Sequence, residues 1–337
     1  MKQGLCFDDV LLQPQYSEIG SRKEIEIGNR LSKDIYLCLP IISAPMDTVT
    51  ETSMVVSIRR SGGLGIIHRY NSIEEQRDLL VNAYPALIDI GAAVGVQGDY
   101  LERAQLLVES GIKVICVDVA HGHHVLMKNA LKNLKSKLPP HIHIMAGNVA
   151  TKEAFKDLSA WGADSIKVGI GGGSICSTRI QTGHGIPTLQ SILDCALAAK
   201  QTGVKLIADG GIKNSGDIVK ALVAGADFVM LGSLLAGTTE SPGQIISSSK
   251  GKTKVYRGMA SKEAQRDWKG SVSSQEGIST YIPYKGSVVS VLEDLETGIR
   301  SGFSYSGAKD LTQLQDRAIF IQQTSASGEE SSTHILK

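Results

Sequence analysis

Residues 204–233 read VKLIADGGIKNSGDIVKALVAGADFVMLGS. An apolar run at 204–208 ends on Asp209-Gly210-Gly211. Helical spacing follows over 215–224 and stops on Gly225. A second apolar run, 228–232, gives way to Ser233. Short runs that are apolar on both parities suit strands buried on both faces, as parallel strands are. A glycine directly after a helical stretch is the residue that takes the left-handed stop. The segment therefore reads as strand, helix, strand, with glycines where the chain leaves each strand.

The same unit recurs upstream. Apolar runs lie at 40–44, 65–68, 90–95, 114–119, 142–146 and 165–169, and helical spacing at 100–110, 125–138, 152–161 and 188–202. Three of these helices also meet a glycine, at Ser110-Gly111, Trp161-Gly162 and Thr202-Gly203. Eight strands alternating with helices predict an α/β protein, a (β/α)8 TIM barrel. One catalytic domain is expected to take in residues 1–337. A doubly wound open sheet is the alternative, but it usually has fewer strands and a phosphate loop after the first one, which is missing here.

Composition narrows the function classes. The 337 residues are 42% apolar and 20% charged, ordinary for a soluble globular chain. Lys+Arg 35 against Asp+Glu 34 leaves a net charge of +1, and no basic stripe interleaved with aromatics points to nucleic acid. Cys6, Cys38, Cys116, Cys176 and Cys195 are odd in number and widely spaced, without a CxxC pair or zinc spacing. Free thiols, the lack of a signal peptide and the lack of an apolar run of about 18 residues predict a cytoplasmic protein without membrane contact.

In a barrel of this kind the chemistry sits on loops after the strand C-termini. Polar and glycine residues gather there: Pro45-Met46-Asp47-Thr48, His68-Arg69, Asp118 with His121-Gly122-His123, Gly147-Asn148, Asp209-Gly210-Gly211 and Gly232-Ser233. Glycines after the seventh and eighth strands match the phosphate cradle of such barrels. The histidines His121, His123 and His124 suit solvent or hydrogen bonding better than a metal, since no carboxylate or cysteine spacing supports one.

The sixth loop is the most informative. It reads Gly169-Ile170-Gly171-Gly172-Gly173-Ser174-Ile175-Cys176-Ser177-Thr178-Arg179. Glycines let backbone N–H groups approach a ligand closely. A cysteine beside a fixed cation can hold a lowered pKa and act as a nucleophile. The plain alternative is a flexible loop around a buried free thiol. Beyond residue 240 the pattern changes: 241–252 reads as a polar loop, 260–280 as a mobile stretch inside a flap of about 256–283, and 288–305 as a final helix. The tail, about 322–337, reads as frayed or used in subunit contacts.

Taken together, these motifs resemble the family of IMP dehydrogenase and GMP reductase. The resemblance rests on Phe7-Asp8-Asp9-Val10-Leu11-Leu12, Ser43-Ala44-Pro45-Met46-Asp47-Thr48-Val49, Gly62-Gly63-Leu64-Gly65-Ile66-Ile67-His68-Arg69, Gly147-Asn148-Val149, the cysteine loop, Ala208-Asp209-Gly210-Gly211, Tyr256-Arg257-Gly258-Met259 and Pro283-Tyr284-Lys285-Gly286. It implies a purine-nucleotide oxidoreductase, usually a homotetramer, in which a cysteine attacks C2 of the purine and hydride passes between C2 and a nicotinamide. By match, Cys176 is the nucleophile and Thr178 its polar assistant. Ser174, Gly211, Gly232, Ser233 and Tyr256 would hold the 5′-phosphate and Asp209 the ribose hydroxyls. Gly258 and Met259 would meet the base edge, with Gly210, Ala260 and Gly277 beside them. Asp118 and Asn148 would line the nicotinamide side, and Arg69 would meet the 2′-phosphate of NADPH. Carbonyls of Gly171, Gly173 and Cys176 would bind a monovalent cation such as K+, completed by Glu330 and Ser331 of a neighbouring subunit.

The family has two reactions. The dehydrogenases oxidise IMP with NAD and hydrolyse the adduct to XMP, using an Arg-Tyr pair on the flap to activate water. The reductases expel ammonia from GMP and accept hydride from NADPH, giving IMP. Here the flap runs Met259-Ala260-Ser261-Lys262-Glu263-Ala264-Gln265-Arg266-Asp267-Trp268-Lys269-Gly270-Ser271-Val272, with no Arg-Tyr pair. Glu276-Gly277 fits the acid that reductases pair with the cysteine-loop threonine, so Thr178 and Glu276 are expected to protonate the departing amine. Only about 20 residues separate Arg69 from Ile90, too few for the paired CBS modules of most dehydrogenases. Reductase is therefore the expected branch. The alternatives are a dehydrogenase lacking those modules, in which Arg266 replaces the missing base, an FMN-dependent barrel oxidoreductase, and a nucleotide-binding protein without activity. Ser177 and Thr188 depart from the pattern of both branches.

Overall fold

A computed structural model describes residues 3–83, 89–249, 251–273 and 275–331. Eight parallel strands close into a barrel: β1 (Ile41–Ser43), β2 (Leu64–Ile67), β3 (Gly91–Val94), β4 (Val114–Asp118), β5 (His143–Val149), β6 (Ser165–Val168), β7 (Lys205–Asp209) and β8 (Phe228–Leu231). β8 pairs with β1, so no barrel edge is left open. Around them lie α1 (Thr52–Arg60), α2 (Ile73–Val81), α3 (Tyr100–Glu109), α4 (Val125–Lys137), α5 (Lys152–Trp161), α6 (Thr188–Thr202), α7 (Ser215–Val223) and α8 (Val288–Tyr305). All eight expected strands form, within a few residues of their expected ends.

Side chains alternate along each strand. Ile115 and Val117 of β4, Leu206 and Ala208 of β7, and Val229 and Leu231 of β8 pack outward under the helices. Val114, Cys116, Met145, Ile207, Phe228 and Met230 face into the barrel. The parity places Lys167 and Asp209 in the upper, C-terminal part of the interior; Lys167 is in register with Asp118 through Gly147 and pairs with Ile207, two residues before Asp209. An antiparallel hairpin, Asn29–Arg30 with Tyr36–Leu37, delivers Leu31, Ile35 and Leu37 to the same interior cluster. Gly162, Gly203 and Gly225 take the expected positive φ after their helices.

Two expectations fail, the loop at 241–252 and the final place of the helix at 288–305, and the 260–280 stretch holds an element not expected there. Within 241–252, predicted as loop, Ile246–Ser248 pairs with Gly251–Arg257, which also pairs with Ser279–Pro283 in a three-stranded antiparallel sheet. The polar composition misleads because Ile246–Ser248 is exposed along its length and is held by its ladder to the next strand rather than by an apolar face; farther along that next strand Lys254 is buried, its ammonium donating to the carbonyls of Thr238 and Ser241. The 260–280 stretch carries a helix, Lys262–Lys269. Ser261 caps it by accepting from Ala264 N–H at 3.2 Å, and Gly270 ends it in the left-handed conformation. Its only buried side chains are Ala264 and Gln265, too narrow an apolar face to be read from hydropathy. Nor is 288–305 the last element. Leu311–Arg317 follows, then Ile319–Gln322 pairs with Val10–Gln13, and Ser325–Glu330 is helical. Residues 332–337 of the tail lie outside the described residues.

Candidate active site

Two cavities open at the C-terminal end of the barrel and share Cys176, Thr178, Asp209, Gly210 and Met259. The smaller, about 250 Å³, is lined by Ser174, Gly211, Gly232, Ser233, Tyr256, Gly258, Ala260 and Glu276 as well. Every residue expected to hold the nucleotide lines it except Gly277, which instead forms a β-bridge with Cys176. No lysine or arginine is among its lining residues, so an anion there would be met by backbone N–H groups and hydroxyls. Burial pushes the Tyr256 hydroxyl up to about 12, against a hydrogen bond with Ser174, and it stays protonated at neutral pH. A Cβ on Gly232 would come within 3.0 Å of that hydroxyl, so glycine keeps the space open. Lys285 donates to the Ser233 and Leu234 carbonyls and fixes the loop after β8.

The cysteine loop is clamped by the flap. Ser177 N–H donates to the Glu276 carbonyl at 3.0 Å, Ile278 N–H to the Ile175 carbonyl at 3.1 Å, and Ser177 Oγ to the Gln275 carbonyl at 3.0 Å. These bonds set the Glu276 side chain against the loop. Cys176 Sγ donates to Thr178 Oγ1 at 3.2 Å, and Thr178 Oγ1 donates to Glu276 Oε2 at 2.8 Å. Arg179, the cation expected beside the thiol, is committed elsewhere: it donates to the Ile186 carbonyl at 2.8 Å and lays its stem on Gly171 and Gly185. The sulfur's hydrogen-bond partner is thus a hydroxyl backed by a carboxylate.

The larger cavity, about 730 Å³, runs from Cys176 past Asp118, Asn148 and Lys167 to Arg69 and Trp268. Lys167 is 2% exposed and donates to Asp118 Oδ1 and, at 3.2 Å, to Asp209 Oδ2. Burial alone would lower its pKa, but the Asp118 and Asp209 carboxylates outweigh this and hold it above the ordinary lysine value. Asn148 Nδ2 donates to Asp209 Oδ2 at 2.9 Å and to the Gly169 carbonyl at 2.8 Å. The turn at Gly169 is tight: φ is +149°, and a Cβ would sit 1.9 Å from the Asp209 carbonyl oxygen. Sequence reasoning passed over Lys167. Its signal was a lysine at an inward position of an otherwise apolar strand, level with two strands that end in aspartate.

Arg69 donates to the Asp118 carbonyl at 3.3 Å and lies over the rings of Tyr70 and Trp268, 5.0 and 5.9 Å from their centroids. Trp268 comes from the flap helix, as do Gln265 and Lys269, which also line the cavity. Arg266 is exposed and lines neither cavity. Of the residues expected around a cation, Gly171 and Gly173 line the larger cavity with Cys176, and the Gly173 carbonyl accepts Cys176 N–H at 3.1 Å. Glu330 ends the helix Ser325–Glu330, which packs against the Phe7–Asp9 turn. His124 caps α4 through Leu126 N–H, and His123 meets Asp157 at 2.9 Å. Thr188 is buried against Gly172 and Gly211.

A closed parallel barrel with a thiol between a polar cradle and a long cleft at its C-terminal end defines the architecture of a TIM-barrel protein with one composite site. The chain belongs to the IMP dehydrogenase/GMP reductase family: the model of the IMP dehydrogenase / GMP reductase domain matches residues 4–334. The inosine-5′-monophosphate dehydrogenase of Cryptosporidium parvum is 39% identical, covering 98% of this chain and 95% of that protein. The GMP reductase of Leishmania major is 33% identical, covering 99% and 97%. A crystal structure of a cysteine-to-alanine variant of Trypanosoma brucei GMP reductase, in complex with guanosine 5′-monophosphate, superposes with a TM-score of 0.94 at 32% identity, covering 99% and 98%. The alignment with the Leishmania protein spans 478 positions against 337 residues here, so that relative carries a segment without a counterpart in this chain. No helix among the described residues is long and apolar enough to cross a membrane.

Proposed function

We propose that this protein is a GMP reductase, converting GMP to IMP and ammonia at the expense of a reduced nicotinamide dinucleotide. The observation that carries the reading is the line Cys176–Thr178–Glu276, in which thiol, hydroxyl and carboxylate follow one another at 3.2 and 2.8 Å. Removing the 2-amino group needs a nucleophile at C2 and a proton for the leaving nitrogen, and this line supplies both. The thiol proton passes to Glu276 through Thr178 as sulfur bonds to C2. Glu276 then returns that proton through Thr178 to the amine as the C2–N bond breaks. The step balances: thiol plus GMP gives a thioether-linked nucleotide plus ammonia.

The purine nucleotide fits the smaller cavity, with its phosphate among Gly211, Gly232, Ser233, Ser174 and Tyr256. The dinucleotide fits the larger one, where it supplies hydride to C2, and Asp118, Asn148 and Lys167 orient it against the base. The flap covers both. Of the flap residues that line the cavities, Gln265 and Trp268 are not bases, and Glu276 is engaged by Thr178 on the thiol line, while Arg266 is exposed. That favours deamination over hydrolysis. GMP bound to the structurally similar Trypanosoma protein supports the same choice of substrate.

The test offers two substrate pairs to one preparation, GMP with NADH or NADPH and IMP with NAD. Ammonia and IMP from the first pair, with no XMP from the second, is the expected result. XMP from the second pair assigns the chain to the dehydrogenases and overturns the proposal.

A further inference from the structure

The motifs Tyr256-Arg257-Gly258-Met259 and Pro45-Met46-Asp47-Thr48 each hold one charged residue with no part in the thiol line. The structure joins the two. Arg257 ends the strand Gly251–Arg257, at the root of the flap, and its N–H donates to Thr48 Oγ1 at 3.3 Å. Its guanidinium donates through Nε and Nη2 to Asp47 Oδ2, at 2.9 and 2.6 Å, and through Nη1 to Asp267 Oδ2. Asp47 belongs to the loop after β1, and Asp267 to the flap helix Lys262–Lys269. One arginine therefore ties the barrel rim to the flap.

The two halves of this tie differ in their surroundings. Arg257 and Asp47 are 19% and 14% exposed, so their pair is a fixed part of the rim. Asp267 is 63% exposed, so its pair with Arg257 can part and re-form in water. Little else fastens the helix. Among the described residues, Asp267–Arg257 is the one ion pair that it makes. Its buried side chains are Ala264 and Gln265, and Gln265 bonds to Ala260, Ser261 and Ser273 of the flap itself. Trp268 meets the Tyr70 ring edge-on at 5.2 Å, but its buried indole N–H has no hydrogen-bond partner.

From this we infer that Asp267 is a positioning residue: its pair with Arg257 latches the flap helix to the barrel rim and so holds Gln265 and Trp268 against the larger cavity. The inference rests on the reading of that cavity as the dinucleotide site. Asp267 lines neither that cavity nor the smaller one, so it acts through the helix and not on a bound nucleotide. Gln265, Trp268 and Lys269 do line the larger cavity, and a ligand there is fully enclosed only when the helix is down. Loosening the latch lowers the latched fraction, and the apparent affinity of the dinucleotide falls with it. An exposed pair is weak and is screened by salt, which makes the latch easy to release.

Asp267→Ala and Asp267→Lys test this on the full chain, and Arg257 stays in place because its loss would strand Asp47. Trp161 and Trp268 are the two tryptophans, so a Trp161→Phe background makes Trp268 the reporter of the flap helix. Acrylamide quenching of its fluorescence lifetime is measured without nucleotide. At about 0.01 M salt it is expected to rise about twofold for Asp267→Ala, and further for Asp267→Lys, which sets two cations face to face. At about 1 M salt the wild type is expected to approach both variants. In steady-state assays Asp267→Ala should raise the KM for the dinucleotide about twofold or more without lowering kcat. Quenching equal in wild type and variants, a difference as large at about 1 M salt, or a fall in kcat at unchanged KM overturns the inference. The quenching involves no turnover, so XMP formation, which would overturn the reductase reading, leaves the latch standing.

Discussion

Lys167 offers the sharpest test of the electrostatics beneath the cleft. Lys167→Met keeps the length of the side chain and removes the ammonium that bridges Asp118 and Asp209. The lysine is 2% exposed and the carboxylates 19% and 20%. Removing one partner of a buried ion pair costs about 3–5 kcal/mol, and the partial exposure of both carboxylates places this case near 3. An unfolding entropy of about 2.1 cal/mol/K per residue over 337 residues gives about 0.7 kcal/mol/K, so the melting temperature should fall by about 4 °C at neutral pH. The sign with pH is also set. In the wild type the raised lysine pKa gives stability that is fully present below the unfolded value of about 10.4 and lost only as pH rises through the still higher folded value. It is therefore constant between about pH 5 and pH 8. In the variant two carboxylates face each other, the folded-state pKa of one rises, and protonating it relieves the repulsion. The deficit should shrink from about pH 8 to about pH 5, read by thermal melts followed by circular dichroism. A deficit below about 1 °C, or one equal at both pH values, would refute the ion-pair account.

Other substitutions probe the remaining parts. Glu276→Gln should slow ammonia release about 100-fold or more with little change in the KM for GMP, because it removes the proton acceptor at the end of the thiol line; rapid-quench ammonia assays decide this. Tyr256→Phe should weaken GMP binding about fivefold to tenfold by removing a buried hydroxyl donor. Since that hydroxyl titrates only near 12, it should add no pH dependence to wild-type GMP binding below about pH 9, as calorimetry at several pH values would show. Gly169→Ala places a Cβ 1.9 Å from the Asp209 carbonyl oxygen at φ +149°, so it should destabilise the fold by about 3 kcal/mol or more and disturb Asn148, which urea unfolding would detect.

The barrel was legible because its signal is redundant. Eight apolar runs, repeated helical spacing and glycines at the helix ends all point to one architecture, and an error in any one of them changes little. The cysteine loop and the glycine cradle were legible for a related reason, since loops after parallel strands gather at one end of a barrel. What escaped depended on partners distant in sequence. Lys254 reads as a surface residue until the Thr238 and Ser241 carbonyls are seen to receive it. The Lys262–Lys269 helix buries little of its own surface and is recognisable chiefly from Ser261 and Gly270 at its ends. Arg179 was expected to polarise the thiol because the two are close in sequence, yet its guanidinium turns to Ile186, and a threonine two residues from the cysteine takes that place.

The most direct measurement is intact-mass and peptide mass spectrometry of the protein after incubation with GMP and no hydride donor, quenched in acid, with ammonia assayed in parallel. The account predicts a purine nucleotide joined through sulfur to the peptide containing Cys176, with ammonia released in step with it. An unmodified thiol with no ammonia would contradict it, and so would XMP accumulating in the same mixture.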